Sequence, residues 1–318
     1  MTEPQCYLCG SSALTELTQT LRYGTGRVVF CPRCSLGMLE HDAEDLARYY
    51  AQEYRQRHGP RVGQPADYEE IFSAYVNYQG RRVERIARHL SVTARLLEVG
   101  CSAGQLLYNL KPLAGEVIGL DYDPGAAAFA AEKCSCVTYA GEVSDAPLDD
   151  GSFDVICAVQ VLEHVPDPLS FIATLRPLLK PTGVVYIEVP NLLDPLLELY
   201  DNRAYRKFYF HRAHLFYFTA RSLSALMERA GMEGELLPLQ DYNFLNHLHW
   251  ALTQTPQPDP HPGLGPARLP LAQTAPAPPL RELEAWAQRA DEEYKRLLER
   301  HGVTDNIAFL GGPRAPTS

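Results

Sequence analysis

The sequence has 318 residues, of which 46% are hydrophobic and 21% are charged, and its formal net charge is −10 at pH 7. This composition predicts one main domain with an appendage, and the acidic balance argues against a nucleic-acid substrate, because phosphate binding draws on clustered lysine and arginine. No apolar run approaches the ~20 residues of a membrane span and no secretory signal begins the chain, so we expect a cytoplasmic protein without a membrane partner.

Four of the eight cysteines have the spacing of a metal site. They form C-x2-C-x21-C-x2-C, with candidate ligands at Cys6, Cys9, Cys31 and Cys34. Each C-x2-C pair can direct two thiolates towards one point, and two pairs complete a tetrahedral zinc site. The intervening segments 17–23 and 26–30 have strand composition and join through Gly-Thr-Gly, as in a zinc ribbon over residues 1–45. Such a Zn²⁺ site is closed and structural; two disulfides are the alternative, which a cytoplasmic chain disfavours.

Residues 46–92 are predicted to be a helical segment. A polar helical stretch covers 44–59, and a second helix over 67–90 has apolar side chains at spacings near three and four. The tyrosines of this second helix are interpreted as core or surface aromatics. A lid over a ligand is the alternative.

From residue 94, short apolar runs alternate with helical stretches. Strands are predicted at 95–100, 116–121, 136–140, 153–159 and 184–189. Helices are predicted at 104–111, 124–133, 167–180 and 220–231. This alternation predicts an α/β domain over residues 93–253, with a parallel sheet covered by helices on both faces. Ligands of such sheets bind at the carboxyl ends of the strands.

The loop after the first of these strands reads Gly-Cys-Ser-Ala-Gly at residues 100–104. It fits G-x-S-x-G, which presents a nucleophilic serine in α/β-hydrolases, but the upstream oxyanion-hole segment of those enzymes is missing from the sequence. Two acids accompany the loop instead, Glu98 near the end of the strand and Asp121 after the next strand. A carboxylate about 20 residues past a glycine loop is where a ribose diol is held. We therefore interpret Ser102 as a small residue of a nucleotide-type loop.

These landmarks resemble the class I S-adenosylmethionine (SAM) methyltransferases. The loop resembles their motif E/D-x-G-x-G-x-G with serine at the middle glycine, and "VIGLDYD", "VLEHVPDP" and "LLKPTGVVYIEVPN" resemble later motifs in the same order, over residues 94–253. The resemblance implies a Rossmann-like sheet and SAM as the cofactor, with the ribose on Asp121 and the adenine beside Tyr122 and Glu142. The cofactor-binding residues that it implies are Glu98, Gly100, Ser102, Gly104, Asp121, Tyr122, Glu142 and Gln160.

The four-cysteine module, "EHVPDP" and "HLFYF" together are similar to bacterial methyltransferases of natural-product, deoxysugar and surface-glycan pathways. The sugar C-methyltransferases among them carry Tyr-x-Glu-His-Leu-x-Tyr-Phe; here His211 replaces the tyrosine, Ala213 replaces the glutamate, and His214 matches. These departures favour methylation of oxygen on a small-molecule acceptor. We expect His214 to be the general base, with His164 or His211 orienting the acceptor.

The end of the chain has a different composition. Residues 255–279 include nine prolines, which predicts an extended linker over 254–280. An amphipathic C-terminal helix and a tail are predicted over 281–318. We expect the helix to pack on its own domain; closing the acceptor pocket or forming a homodimer are the alternatives.

Two other function classes stay open. One is an RNA methyltransferase that grips its substrate with the ribbon, although the ribbon's basic residues are only Arg22, Arg27 and Arg33. The other is a non-enzymatic protein that uses the fold as a scaffold. The acids Glu98, Asp121 and Glu142 argue against it, because a pocket without a ligand has no need of them.

Overall fold

A small antiparallel sheet forms the N-terminal module. The computed structural model describes residues 4–40, 59–61, 63–272 and 277–314. The strands β1 (Thr15–Leu21), β2 (Gly24–Cys31) and β3 (Leu36–Leu39) are joined by β9 (Phe216–Tyr217) in the order β1-β2-β3-β9. The sequence analysis predicted β1 and β2. It missed β3 and β9, because strands of four and two residues are too short to show an alternating pattern.

The larger sheet carries the main fold. Its strands are β4 (Arg95–Val99), β5 (Glu116–Asp121), β6 (Val137–Ala140), β7 (Phe153–Val159), β8 (Leu179–Pro190), β10 (Met232–Leu239) and β11 (Asn306–Pro313). Their order is β10-β11-β8-β7-β4-β5-β6. The neighbours from β8 to β6 pair in parallel, whereas β11 is antiparallel to both β8 and β10. The Rossmann-like α/β fold is thus confirmed, and the sheet is mixed rather than wholly parallel.

Helices connect the strands. They are α1 (Tyr68–Tyr75), α2 (Gly80–Ala87), α3 (Gln105–Leu110), α4 (Pro124–Cys134), α5 (Pro168–Leu175), α6 (Pro195–Glu198), α7 (Arg203–Tyr209), α8 (Ala220–Arg229), α9 (Phe244–Thr253), α10 (His261–Leu264) and α11 (Ala277–His301). Among the described residues, none of these helices is both long and apolar enough to cross a lipid bilayer.

Both faces of the larger sheet are covered. Neighbouring residues of β4 belong to different hydrophobic clusters, Leu97 to one and Leu96 to the other. The first cluster includes Ile172 of α5 and Leu223 of α8, and the second includes Leu107 of α3. Because successive side chains of a strand point to opposite faces, the strands read as continuous apolar runs. The helices therefore lie on both sides, as the sequence analysis expected.

The N-terminal module shares its core with the larger sheet. Val28 of β2 and Leu36 belong to the same buried cluster as Phe216 of β9 and Val189 of β8. The pairs Gly37–Tyr217 and Met38–Phe216 add β9 to the edge of the module. The module is therefore packed against the α/β domain as one continuous apolar core.

The predicted helix over 67–90 is two helices in the structure. Asp67 begins α1 with a capping box that includes Glu70, and the chain turns through a 3-10 segment, Val76–Tyr78, before α2. Asn109 donates to the Val76 carbonyl at 2.9 Å, which satisfies a backbone acceptor at the break. The polar helix predicted over 44–59 lies, except for its last residue, outside the described residues.

The C-terminal region differs from its prediction in two respects. The proline-rich segment packs against the domain: Gly263 and Ala267 are buried, and Asn243 donates to the carbonyls of Pro262 and Gly265. The predicted C-terminal helix is confirmed as α11. However, the expected tail continues as β11 beside β8, so the domain limits of 93–253 leave out a strand of the sheet.

A buried ion-pair network joins α2 to the sheet. The Arg82 guanidinium bonds the Glu188 carboxylate through Nε at 3.0 Å and through Nη2, and Nη2 also donates to Asp241 at 2.6 Å. Glu188 is fully buried, and the Arg82 side chain is 11% exposed. Removing one partner of such a network leaves uncompensated buried charge.

We expect Arg82→Ala to destabilise the protein by about 3–5 kcal/mol, because the buried Glu188 and the mostly buried Asp241 lose their counter-charge. Urea unfolding followed by circular dichroism measures this. Arg88→Ala is the matched control: Arg88 pairs with Glu84 on the exposed side of the same helical region and should cost less than ~1 kcal/mol. Equal losses in the two variants would contradict this account of the network.

Candidate functional site

The carboxyl ends of β4, β5 and β7 meet at one edge of the sheet. The glycine loop 100–104 follows β4, Asp121 ends β5, and residues 160–164 follow β7. This edge is where the sequence analysis expected a ligand.

The glycine loop needs glycine at both ends. Gly100 and Gly104 have φ angles of +76° and +84°, in the left-handed region. A Cβ at Gly100 would lie 2.3 Å from Val161 Cγ2, and a Cβ at Gly104 would lie 2.7 Å from Cys134 Sγ. The loop is thus pressed against the segment after β7 and against α4, and a larger residue would block this approach.

Asp121 is held in place by the loop. One carboxylate oxygen accepts from the Ser102 backbone N–H at 2.8 Å, and the other accepts from the Asp123 N–H at 2.9 Å. Ser102 thus contributes its backbone to the site, in agreement with its interpretation as a loop residue. Tyr122 is 75% exposed and Glu142 is also exposed, so these two predicted residues lie at the rim of the site.

Glu98 points into the protein beneath the loop. It is buried, and its Oε2 has no hydrogen-bond partner among the residues that the structure describes. Burial raises the pKa of this carboxyl well above its ordinary value, and the charge of Asp121 adds to the effect. An unsatisfied buried carboxyl oxygen is a place where a donor from a ligand or water would be stabilised.

Gln160 lies on the other side of the same edge. Its φ is +57°, its backbone N–H donates to the Glu188 carbonyl at 2.8 Å, and its amide donates to Asn306 of β11 at 3.0 Å. The predicted cofactor residues thus span the strand ends from β6 to β7. Gln160 in addition joins them to β11, which the sequence analysis did not predict.

Helix α1 closes over this edge. The Tyr68 hydroxyl donates to the Asp123 carboxylate at 3.0 Å, and Gln105 at the start of α3 donates to the Ile71 carbonyl at 3.3 Å. Tyr68 and Asp123 were not among the predicted site residues. The signal was the set of tyrosines in the helix, for which a lid was the alternative interpretation.

A second group of polar side chains lies beside the loop. It contains Glu163, His164, His211 and His214. The Nε2 atoms of His164 and His214 each lie 3.8 Å from Oε1 of Glu163. The His211 and His214 rings are in contact, with centroids 3.8 Å apart. The three predicted histidines are therefore brought together, around a glutamate that was not in the predicted set although it directly precedes His164.

Backbone contacts assemble this cluster from two distant segments. The Leu215 N–H donates to the Glu163 carbonyl at 2.8 Å, and His164 Nδ1 lies 2.8 Å from the Ala213 carbonyl. Because a carbonyl only accepts, Nδ1 of His164 carries the proton and its Nε2 has the lone pair. The 3-10 turn Leu162–His164 is thus fixed against the residues that precede β9.

The carboxyl group of this cluster is screened from water, whereas the His164 and His214 side chains are 18% and 12% exposed. Glu163 is 1% exposed, and neither of its carboxyl oxygens has a hydrogen-bond partner in the described part of the chain. Burial raises the pKa of Glu163 to about 8 and lowers the pKa of His164 to about 4. Both shifts favour the neutral form of each group in the absence of a ligand.

The four predicted metal ligands converge within the N-terminal module. The Sγ atoms of Cys6 and Cys34 are 3.4 Å apart, and those of Cys9 and Cys31 are 3.5 Å apart. All four sulfurs lie within 4.8 Å of one another, and all four cysteines are free. A disulfide would need ~2.05 Å between sulfurs. The geometry therefore gives a four-thiol cluster of the size that one ion requires.

The comparison with known proteins agrees with this architecture. The family described as "Methyltransferase domain" matches residues 68–237. A protein of Mycolicibacterium smegmatis, named as a probable S-adenosylmethionine-dependent methyltransferase, is 32% identical over 165 residues, which are 50% of this chain and 61% of that protein. A ubiquinone biosynthesis O-methyltransferase of Methylococcus capsulatus is 33% identical over 117 residues, 35% of this chain and 49% of that protein.

The chain thus spans about half to three fifths of the length of these curated relatives. Among solved structures it is similar to a SAM-dependent methyltransferase from Archaeoglobus fulgidus, with 17% identity and a TM-score of 0.49, over 77% of this chain and 97% of that one. The family match alone covers more than half of the chain, including the glycine loop and β4 to β8. The chain therefore belongs to the methyltransferase domain family.

Proposed function

We propose that this protein transfers a methyl group from SAM to a hydroxyl group of a small-molecule acceptor. The observation that carries the proposal is the joining of the glycine loop, Asp121 and the Glu163–histidine cluster at one edge of a methyltransferase sheet. The relatives named as ubiquinone O-methyltransferases support oxygen as the methylated atom. A sugar, glycan or natural product is the acceptor class that we infer from the sequence motifs.

The residues at the strand ends fit SAM. The glycine loop turns tightly at the strand ends without side chains at Gly100 and Gly104, and Asp121 offers carboxylate oxygens to a ribose diol. Beneath the loop, Glu98 holds an oxygen that has no hydrogen-bond partner among the described residues. Tyr122 and Glu142 at the rim fit the adenine. When bound, SAM supplies an electrophilic methyl group on a sulfonium. The acidic residues of the site suit this positive charge, and SAM carries no phosphate that would require basic residues.

The histidine cluster fits the acceptor side. Val161 touches the glycine loop and precedes Glu163 by two residues, so the cluster adjoins the cofactor edge. We assign removal of the acceptor proton to this cluster, with His214 as the candidate base and His164 or His211 as orienting residues. Alignment of the acceptor oxygen with the methyl group is the larger contribution of the protein.

We further propose that the four cysteines hold one structural Zn²⁺. Ligands at the ~2.3 Å Zn–S distance of a tetrahedral site place sulfurs ~3.8 Å apart, close to the separations in the cluster. Four thiolates leave no open position, so the ion would stabilise the module without taking part in catalysis.

We expect Asp121→Ala to weaken SAM binding by about 1.5–3 kcal/mol, because charge-assisted hydrogen bonds to the ribose are lost. Isothermal titration calorimetry with SAM and S-adenosylhomocysteine measures this. Asp150→Ala, in the exposed turn before β7, is the matched control and should bind like the wild type. Unchanged affinity in Asp121→Ala would remove the cofactor assignment, and no binding by the wild type would favour the scaffold alternative.

His214→Gln should lower kcat by about 10²-fold or more while SAM affinity stays unchanged, because the acceptor proton loses its path. Turnover is measured with a panel of hydroxylated sugars and phenols, and SAM binding is measured in parallel. Normal turnover in this variant would mean that positioning alone sustains the reaction.

Cys31→Ser should reduce the zinc content and the thermal stability together, because binding of a structural ion is coupled to folding. Metal analysis by mass spectrometry and a melting curve measure the two quantities on the same sample. Cys136→Ser is the control, since Cys136 lies outside the cluster and should keep the ion. A zinc-free wild type purified without chelators would end this proposal.

A further inference from the structure

We propose that Glu163, His164 and His214 form a second metal site, which binds a divalent transition-metal ion beside the cofactor loop. Each residue offers one ligand atom, and all three atoms lie within 4.8 Å of one another. This set is separate from the cysteine cluster, and it has a different chemistry.

The distances are those of ligands around a single ion. Donors at ~2.0–2.2 Å from an ion, at angles between 90° and 109°, lie ~3.0–3.5 Å apart. Nε2 of His164 and Nε2 of His214 each lie 3.8 Å from Oε1 of Glu163. Movements of a few tenths of an ångström by the side chains would complete the coordination.

The donor atom of His164 is also presented in the form that a metal needs. The Ala213 carbonyl fixes the proton of His164 on Nδ1, so the Nε2 lone pair points towards Glu163. Such an outer hydrogen bond from a ligating histidine to a carbonyl is the usual support of a metal site. The Leu215 N–H bond to the Glu163 carbonyl holds the two ligand-bearing segments together at 2.8 Å.

The burial of Glu163 is a second observation, independent of the distances, that indicates a bound cation. A carboxyl group that is 1% exposed and has no hydrogen-bond partner in the described part of the chain is costly to keep unless something satisfies it. A cation between Glu163 and the two imidazoles would satisfy Oε1, the carboxylate oxygen that lies nearest to both rings. Two histidines with one carboxylate are typical of zinc, manganese and non-haem iron sites that keep positions open for a substrate.

The role of the ion rests on the proposed function, whereas its binding does not. An acceptor hydroxyl in an open position would be polarised and its pKa lowered, and its proton would pass to solvent water. With the ion bound, His214 is a ligand and acts on the acceptor through the metal. This deepens the assignment of the cluster, because a single ion replaces a free histidine base.

Binding of Mn²⁺ to the 318-residue chain, purified with zinc supplied, tests the site. Mn²⁺ prefers carboxylate and imidazole ligands to thiolates, so it leaves the cysteine cluster occupied by zinc. The free ion is followed by electron paramagnetic resonance during titration of the wild type, Glu163→Gln and His214→Gln. Glu235→Gln, which changes an exposed glutamate of β10, is the matched control for non-specific acidic binding.

We expect saturable 1:1 binding in the wild type and in Glu235→Gln, and at least ~10-fold weaker binding in Glu163→Gln and His214→Gln. SAM affinity, measured on the same samples, reports whether each variant is folded and tests the cofactor site separately. Absent binding in the wild type, or equal Mn²⁺ affinity in Glu163→Gln, would overturn the metal site and leave the methyltransferase proposal standing. Metal binding by a wild type that does not bind SAM would support the metal site and overturn the methyltransferase proposal.

Discussion

The pairing of β3 with β9 is the constraint on which the proposed acceptor side of the molecule depends. Met38 pairs with Phe216, and the Leu39 N–H donates to the Leu215 carbonyl at 2.9 Å. These contacts fix the chain immediately after His214, and the Leu215 N–H then reaches the Glu163 carbonyl. The N-terminal module therefore does more than add a small domain, because its last strand, β3, binds the segment that directly follows His214.

This arrangement explains how much of the molecule the sequence could predict. The strands β4 to β8 and the glycine loop follow from local patterns, because fully buried parallel strands are continuous apolar runs and a left-handed loop requires glycine. The cysteine cluster follows from ligand spacing alone. The candidate cofactor side of the site is built mainly from residues close to these strand ends, so motifs alone were sufficient to predict Gly100, Asp121 and Glu98 as candidates.

The proposed acceptor side could not be predicted from local sequence patterns in the same way, because strand pairing between distant segments of the chain creates it. Strand β9 has two residues and no pattern of its own, and it exists because β3 offers a free edge. Strand β11 follows a long helix and enters the sheet beside β8 from the far end of the chain. Glu163 has an ordinary place in the motif. Its significance lies in its burial with no hydrogen-bond partner among the described residues, which only three-dimensional packing shows.

The cysteine cluster and the Glu163–histidine cluster differ in their chemistry, and the N-terminal module holds the first and pairs with the segment that follows His214 of the second. Four thiols converge with no position left for a further ligand, and such a group can only stabilise what surrounds it. One carboxylate and two imidazoles converge as three ligand atoms, one fewer than the four of the cysteine cluster, next to the loop expected to hold the methyl donor. Since β3 follows Cys34 in the chain and pairs with β9, the cysteine cluster and the segment that follows His214 belong to one small sheet. We therefore expect a loss of order in the N-terminal module to loosen the contact between His214 and Glu163, which would give the module a reason to be part of a methyltransferase.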